Sequence, residues 1–264
     1  MDHKGVLDLY DRALRRDARP DGPGCRVERD GDVVRQTGPA HAWNGVLWSD
    51  LTADRADAAI DAQVRHFDAL GLGFEWKLHA HDTPHDLGAR LRAAGFEPEP
   101  EEALMVAEAA RLAAPPELPD GVELRDVTRP EHVRLMSDVH EEAFGTDATW
   151  LRERLLEQLA AQPDTVAAVV ALADGRPVAS ARLETVPGTD FAGLWGGGTV
   201  PEWRGRGLYR ALVAHRARIA AARGHRYLQV DASDMSRPVL RRLGFAVLST
   251  TTPYVRQPQR PTTG

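Results

Sequence analysis

The sequence predicts an α/β fold made twice, as two related halves of alternating strands and helices. Three observations carry this. A proline-rich break, Ala113-Ala114-Pro115-Pro116-Glu117-Leu118-Pro119-Asp120-Gly121, divides the chain. Three prolines within five residues cannot sit inside a helix or a central strand. After the break, short apolar runs alternate with segments of helical period. Before it, one ungapped offset of 149 residues brings several features of the two halves into register. It places Gly95-Phe96 on Gly244-Phe245, Asp82 on Asp231, Leu91 on Leu240 and His66 on His215. The halves are expected at 1–112 and 122–256, with a linker at 113–121 and a flexible Pro/Thr/Gln-rich tail at 257–264.

The elements of the second half follow in order. Val122 to Val127 reads as a strand. Thr128 is placed to cap a helix, with Pro130 in its first turn and Glu131 three residues after the cap, and the helix runs to about Phe144. Trp150 to Ala160 reads as a second helix. Thr165 to Ala173 is a β-branched run, Asp174-Gly175 a hairpin turn and Val178 to Val186 the partner strand. Leu194 to Val200 is a strand interrupted by glycines at 196, 197 and 198. A helix covers Leu208 to Ala222, and Gly224 stops it. Tyr227 to Val230 is a strand, Pro238 to Leu243 a short helix, and strands follow from Phe245 to Val255. In the first half, Thr52 to Leu70 covers the helix that corresponds to the one near 207–222.

Composition narrows the function. The chain has 264 residues, 42% of them hydrophobic and 27% charged, which is enough for a real core. The net charge of −6 lacks the basic surplus of a general nucleic-acid binder. Cys25 is the only cysteine, so neither an intrachain disulfide nor a thiolate metal cluster can form. No stretch reaches the apolar length of a membrane span, and the first ten residues lack a signal-peptide core. A cytoplasmic protein is expected, with no nucleic-acid or membrane partner. Lysine occurs only at Lys4 and Lys77, which reads as the codon bias of a GC-rich bacterial genome. His79, His81, Asp82 and His85 are grouped as metal ligands are, but they match the strand end at Val230-Asp231, and no metal is expected. Trp43, Trp48 and Trp76 read as core.

The chemistry lies in Gly198-Thr199-Val200-Pro201-Glu202-Trp203-Arg204-Gly205-Arg206-Gly207-Leu208-Tyr209. This is a strand, a glycine turn and a helix start. Glycines let backbone amides approach a ligand without a Cβ in the way, and free amides at a helix start attract phosphate. Arg204, Arg206 and Arg210 add positive charge. The segment resembles the cofactor loop of the GNAT superfamily of acyltransferases, whose pattern is R/Q-x-x-G-x-G/A. Arg204 and Gly207 match, and Tyr209 stands where a glycine or alanine is usual. Leu243-Gly244-Phe245 resembles the family's helix-to-strand junction, and the likeness covers about Val122 to Val255.

The resemblance implies tandem acyl-CoA N-acyltransferase folds, each a mixed, mostly antiparallel sheet flanked by helices. It implies acetyl-coenzyme A as co-substrate and a small-molecule amine as acceptor, in a monomer or homodimer. By the same resemblance, the backbone of Gly198, Thr199 and Val200 faces the pantetheine arm. That of Arg204, Gly205, Arg206, Gly207, Leu208 and Tyr209 faces the phosphates, with Arg210 nearby and Ser233 against the cofactor. The offset puts Arg55-Ala56-Asp57-Ala58-Ala59-Ile60 on this loop, with alanines for glycines and an acid where phosphate would lie, so the first half is expected to bind no coenzyme A.

Many family members place a tyrosine acid four residues before the Gly of Gly-Phe, where this chain has Leu240. Tyr209, Tyr227 and Tyr254 are the substitutes, and Tyr254 lies on a late strand. Glu184 and Asp231, at strand ends, are the candidate bases. His140, Glu141 and Glu142 could meet a cationic amine or form a solvated face. Two functions fit: N-acetyl transfer by direct attack of the amine, or a non-catalytic coenzyme A-binding sensor. A nucleotide-phosphate enzyme would need a lysine near the glycine loop, and neither Lys4 nor Lys77 is there.

Overall fold

The computed structural model describes residues 1–258, so the tail expected at 257–264 lies, from 259 on, outside the described residues. The first part of the chain forms α1 (His3–Tyr10), a π-helical turn (Asp11–Arg16), β1 (Arg26–Asp30), β2 (Val33–Thr37), β3 (Gly45–Ser49) and α2 (Ala56–Leu70). Then come β4 (Phe74–His79), α3 (Leu87–Ala93), β5 (Glu97–Pro98), β6 (Glu102–Glu108) and α4 (Ala109–Leu112). The second part forms β7 (Val122–Asp126), α5 (Pro130–Phe144), α6 (Thr149–Ala161), β8 (Val166–Ala173), β9 (Arg176–Thr185) and β10 (Phe191–Thr199). It ends with α7 (Leu208–Ala222), β11 (Tyr227–Ala232), α8 (Arg237–Arg242) and β12 (Ala246–Arg256).

These elements build two compact units. One holds Met1–Leu104, Asp231–Asp234 and the chain from Val247; the other holds Met105–Val230 and Met235–Ala246. The last strand thus belongs to the first unit, where β12 pairs antiparallel with β4 from Thr251↔His79 to Arg256↔Phe74. Nothing in the local pattern of residues 246–256 marks that choice, because a strand's alternation does not encode its partner.

In the first unit, β1, β2 and β3 form an antiparallel meander and β3 pairs β4 in parallel. Trp76, Phe67, Phe74, Ile60, Leu91, Phe96 and Tyr254 are buried together in its core. Phe67 stacks on Phe74 at 4.1 Å between centroids, and Phe96 meets Phe74 edge-on at 5.1 Å. Of the three tryptophans expected in the core, only Trp76 is fully buried. Trp43 is half-buried, its indole N–H donating to Glu75 Oε2 at 2.7 Å, and Trp48 is half-buried beneath the Arg29 guanidinium at 5.2 Å.

In the second unit, β7, β8, β9 and β10 run antiparallel in succession, β10 pairs β11 in parallel, and β6 flanks β11. Val169, Ala171, Val178, Ala181, Leu208 and Leu212 pack together between sheet and helix. Helix α5 is capped by Arg129 rather than Thr128, with Pro130 at its first position, and ends at Gly145 in the left-handed conformation (φ 71°). Helix α7 covers the predicted residues, and Gly224 (φ 83°) closes it. The order β3, α2, β4, α3 in one unit repeats as β10, α7, β11, α8 in the other, each built around a parallel strand pair. Both units are mixed, mostly antiparallel sheets flanked by helices. Among the described residues, no helix is long and apolar enough to cross a membrane.

Candidate active site

Strand β10 organises the second unit's site. On one side it pairs with β9 from Ala192↔Thr185 to Thr199↔Ala179, with a bulge between Trp195 and Gly198. On the other it pairs with β11 at Phe191↔Tyr227, Ala192↔Leu228 and Gly193↔Gln229. Both strands continue, β10 to Thr199 and β11 to Ala232, but no longer as a pair. They part after Gly193, leaving one edge of β10 without its neighbour.

The glycines have separate causes. Gly196 takes φ +57°, which a side chain rarely adopts. A Cβ on Gly197 would lie 3.0 Å from the Tyr209 ring, and one on Gly198 would lie 2.9 Å from Phe144. Helices α7 and α5 therefore close against the bulge, and only hydrogen fits there. At the apex of the parting, a Cβ on Gly193 would meet Gln229 Nε2 at 2.8 Å. Gln229 Oε1 is buried with no hydrogen-bond partner, an acceptor left open at that apex.

Past Thr199 the chain makes a short 3-10 turn (Pro201–Trp203) and then the glycine loop. Gly205 and Gly207 hold φ of +75° and +85°. Gly207 caps α7, whose ladder opens with the Ala211 N–H donating to Gly207 O at 3.0 Å. The amides of Leu208, Tyr209 and Arg210 precede that ladder, and no acidic residue sits in the first turn. Arg204 ties the loop down: Nε donates to Thr199 O at 3.1 Å and Nη2 to Ala143 O at 2.9 Å. Arg206 lies over the Trp203 ring at 4.6 Å, and Arg210 pairs with the exposed Glu117 at 3.0 Å. Arg204 thus fixes the loop's shape, and its own amide donates to Pro201 O at 3.2 Å.

Beneath the bulge, Tyr209 is largely enclosed and hydrogen-bonds through its side chain with Ser236. Burial raises its pKa, opposed by the Arg216 guanidinium and by Ser236. Arg216 is 1% exposed, donating from Nε to Leu212 O and from Nη1 to Arg182 O, each at 3.0 Å. The second bond reaches β9 where the bulge interrupts its pairing with β10. Among the described residues Arg216 makes no ion pair, and burial lowers its pKa to about 10. Sequence reasoning missed it because a single arginine in an amphipathic helix reads as surface.

The candidate catalytic residues are bound up with other groups. Burial would raise the Glu184 pKa, but Arg182 Nε at 2.7 Å and Arg154 Nη2 at 3.1 Å hold it below the usual carboxylate range. Asp231, in the first unit, pairs with Lys77, a residue that composition alone made look incidental. Burial would lower the Lys77 pKa, but Asp231 more than offsets it and raises it. Tyr254 is 4% exposed in the first unit's core, its hydroxyl against Gly88 and its ring under Arg92. Ser233 is exposed after β11, and Leu240 is fully buried.

Glu102 belongs to the Lys77 cluster. Burial first, then Asp231, lifts its pKa to about 7, opposed by Lys77 and reinforced by Glu75 and Glu99. A carboxyl raised in this way stabilises the fold at pH values below its unfolded pKa, and that contribution is lost as pH rises through about 7. Glu102→Gln should therefore raise Tm at pH 8 by about 2–5 °C and leave it unchanged at pH 4. Thermal unfolding of both proteins at the two pH values checks this.

His79 and His81 serve separate contacts. Burial pushes the His79 pKa well down, so its ring is neutral beside Tyr10. His81 Nε2 contacts Asp11 at 2.8 Å and Nδ1 contacts Ser249 at 2.9 Å. Among the described residues, no group of three or more such side chains is placed to hold a metal ion.

The first unit's equivalent parting is filled. β3 pairs β4 at Gly45↔Glu75 and Val46↔Trp76, and the edge beyond is met by Arg15, whose Nε donates to Leu47 O at 3.0 Å. Arg15 Nη2 also donates to both Asp82 oxygens, at 2.8 and 2.7 Å. At the start of α2, the Ala56 N–H is taken by Thr52 O at 3.0 Å, and Asp57 pairs with Arg90 at 2.9 Å.

Comparison with known proteins agrees with this architecture. Residues 130–245 match the family described as Acetyltransferase (GNAT) family. No curated protein matches the sequence. Among solved structures, a GCN5-related N-acetyltransferase from Kribbella flavida is 20% identical with a TM-score of 0.68, over 96% of this chain and 93% of that one. A tandem GNAT protein from the clavulanic acid biosynthesis pathway is 14% identical with a TM-score of 0.63, over 97% and 94%. A GCN5-related N-acetyltransferase from Sphaerobacter thermophilus is 16% identical with a TM-score of 0.59, over 96% and 85%. The strands that part at a glycine bulge and the glycine-capped helix directly after lie within residues 130–245, the stretch that matches the GNAT acetyltransferase family, and the fold of the whole chain is similar to that of a tandem GNAT protein.

Proposed function

We propose that this enzyme moves an acetyl group from acetyl-coenzyme A to a primary amine of a small molecule, by direct attack of the amine on the thioester. The observation that carries the reading is the parting of β10 from β11 just before the glycine-capped start of α7. The edge of β10 beyond Gly193 suits an amide-bearing pantetheine arm pairing like an added strand, although within 198–200 the Val200 N–H donates to Val178 O at 3.0 Å and Thr199 O accepts from Arg204 Nε at 3.1 Å. The amides of 205–209 suit the pyrophosphate, with the helix dipole adding to them, while the Arg204 amide is taken by Pro201 O at 3.2 Å. Gln229 Oε1 offers an open acceptor at the apex. Direct attack fits a chain whose only cysteine, Cys25, lies in the first unit.

The first unit serves as scaffold in this proposal. Arg15 occupies the edge of β3 on which a second pantetheine would pair, and Asp57 replaces the open amide cradle with negative charge. Titration calorimetry should then give one acetyl-coenzyme A per chain, and free thiol should appear when spermidine, glucosamine, lysine or kanamycin is added. Binding without thiol release from any amine would favour a sensor, and absence of binding would remove the coenzyme A reading altogether.

A further inference from the structure

We infer that Tyr209 is the proton donor to the departing thiolate, and that Arg216 is the residue that positions and supports it. The inference rests on the transfer reaction proposed above. The Tyr209 ring lies directly against Gly197, one residue from the strand segment assigned to the pantetheine arm. Following that arm along β10 from the phosphate loop brings the thioester to the bulge, which Tyr209 underlies. Its hydroxyl hydrogen-bonds with Ser236 at the start of α8. Leu240, one turn further along α8, is apolar and fully buried and can donate nothing.

Arg216 opposes the rise that burial gives this phenol's pKa. A guanidinium sealed from water without an acidic partner costs stability, so its retention asks for a reason. Its second donor bond ends on the Arg182 carbonyl opposite the bulge, so it also holds the strand irregularity in place. The group beside it that can become an anion is Tyr209, and each favours the charged form of the other. Ser236 also favours the phenolate. In the step itself, the neutral amine nitrogen bonds to the carbonyl carbon and the C–S bond breaks, its electron pair going to sulfur. The Tyr209 O–H proton moves to that sulfur, and the phenolate regains a proton as the nitrogen sheds one through solvent.

The decisive comparison uses two acyl donors, acetyl-coenzyme A and acetyl-seleno-coenzyme A, with the fastest amine of the panel above. A selenolate leaves without protonation at neutral pH. Tyr209→Phe should lower kcat about 100-fold with the thioester, as expected for loss of one general acid, with KM for the donor within about threefold. With the selenoester its deficit should shrink to less than about fivefold. Arg216→Met should show the same dependence on the leaving atom, and Arg216→Lys should recover most of the thioester rate. An equal deficit on both donors, or none on the thioester, overturns the assignment of Tyr209. Wild-type protein that neither binds acetyl-coenzyme A nor releases thiol fails at the earlier step, so the two failures are distinguishable.

Discussion

Gly207→Glu is expected to abolish the thermal stabilisation that acetyl-coenzyme A gives the protein, and turnover with it. At a ligand concentration one hundred times Kd, the native protein should gain about 2.7 kcal/mol, or about 5–11 °C in Tm. Gly207 sits at φ +85° as the cap of α7, with open space where a Cβ would point apart from the Arg210 side chain at 3.7 Å. A glutamate there meets the pyrophosphate directly. At about 4 Å and an effective dielectric of about 20, one such repulsion is worth about 4 kcal/mol, close to a thousandfold in Kd. The ratio of ligand to Kd then falls from about 100 to about 0.1, and the gain shrinks below about 0.1 kcal/mol.

Two companions isolate the cause. Gly207→Ala carries the backbone strain, about 1–2 kcal/mol, without the charge, and should keep most of the ligand-induced shift. Ala58→Glu adds the same charge to the exposed first turn of α2 and should leave the shift intact. A full shift in Gly207→Glu would place the cofactor elsewhere.

Much of the local structure around the glycine loop was legible because its requirements are local. A helix cap with positive φ, a strand carrying consecutive glycines and a strand–loop–helix order are written in adjacent residues. Helix α7 and the glycines of β10 accordingly fall where periodicity and turn chemistry put them. The repeat was legible for the same reason, since β3, α2 and α3 keep their spacing at one offset. What could not be read is what long-range pairing decides. Strand β12 joins β4 of the first unit, and Asp231 finds Lys77 at a sequence separation of 154. Glu184 looked like a base until two arginines from β9 and α6 enclosed it. Arg15 and Arg216 carry the same ordinary signal as every other arginine in the chain, and only burial separates them.

Arg15 carries the second large effect. Its side chain is 3% exposed and that of Asp82 4%, and the two are joined by a two-point bond. Asp82 Oδ2 also accepts the His79 amide at 2.9 Å, so the carboxylate turns the chain after β4 while Arg15 closes the edge of β3 at Leu47. Truncating Arg15 to alanine leaves a carboxylate in a dry site with one backbone donor. Breaking a buried pair in this way costs about 3–5 kcal/mol, which lowers Tm by about 6–20 °C. Replacing both partners together, as Arg15→Met with Asp82→Leu, removes the stranded charge and should recover most of the loss. A double-mutant cycle read by thermal unfolding measures that recovery. If the single and double variants lose equally, the pair is not what closes the first unit's strand gap, and the case for a scaffold that excludes a second cofactor loses its physical basis.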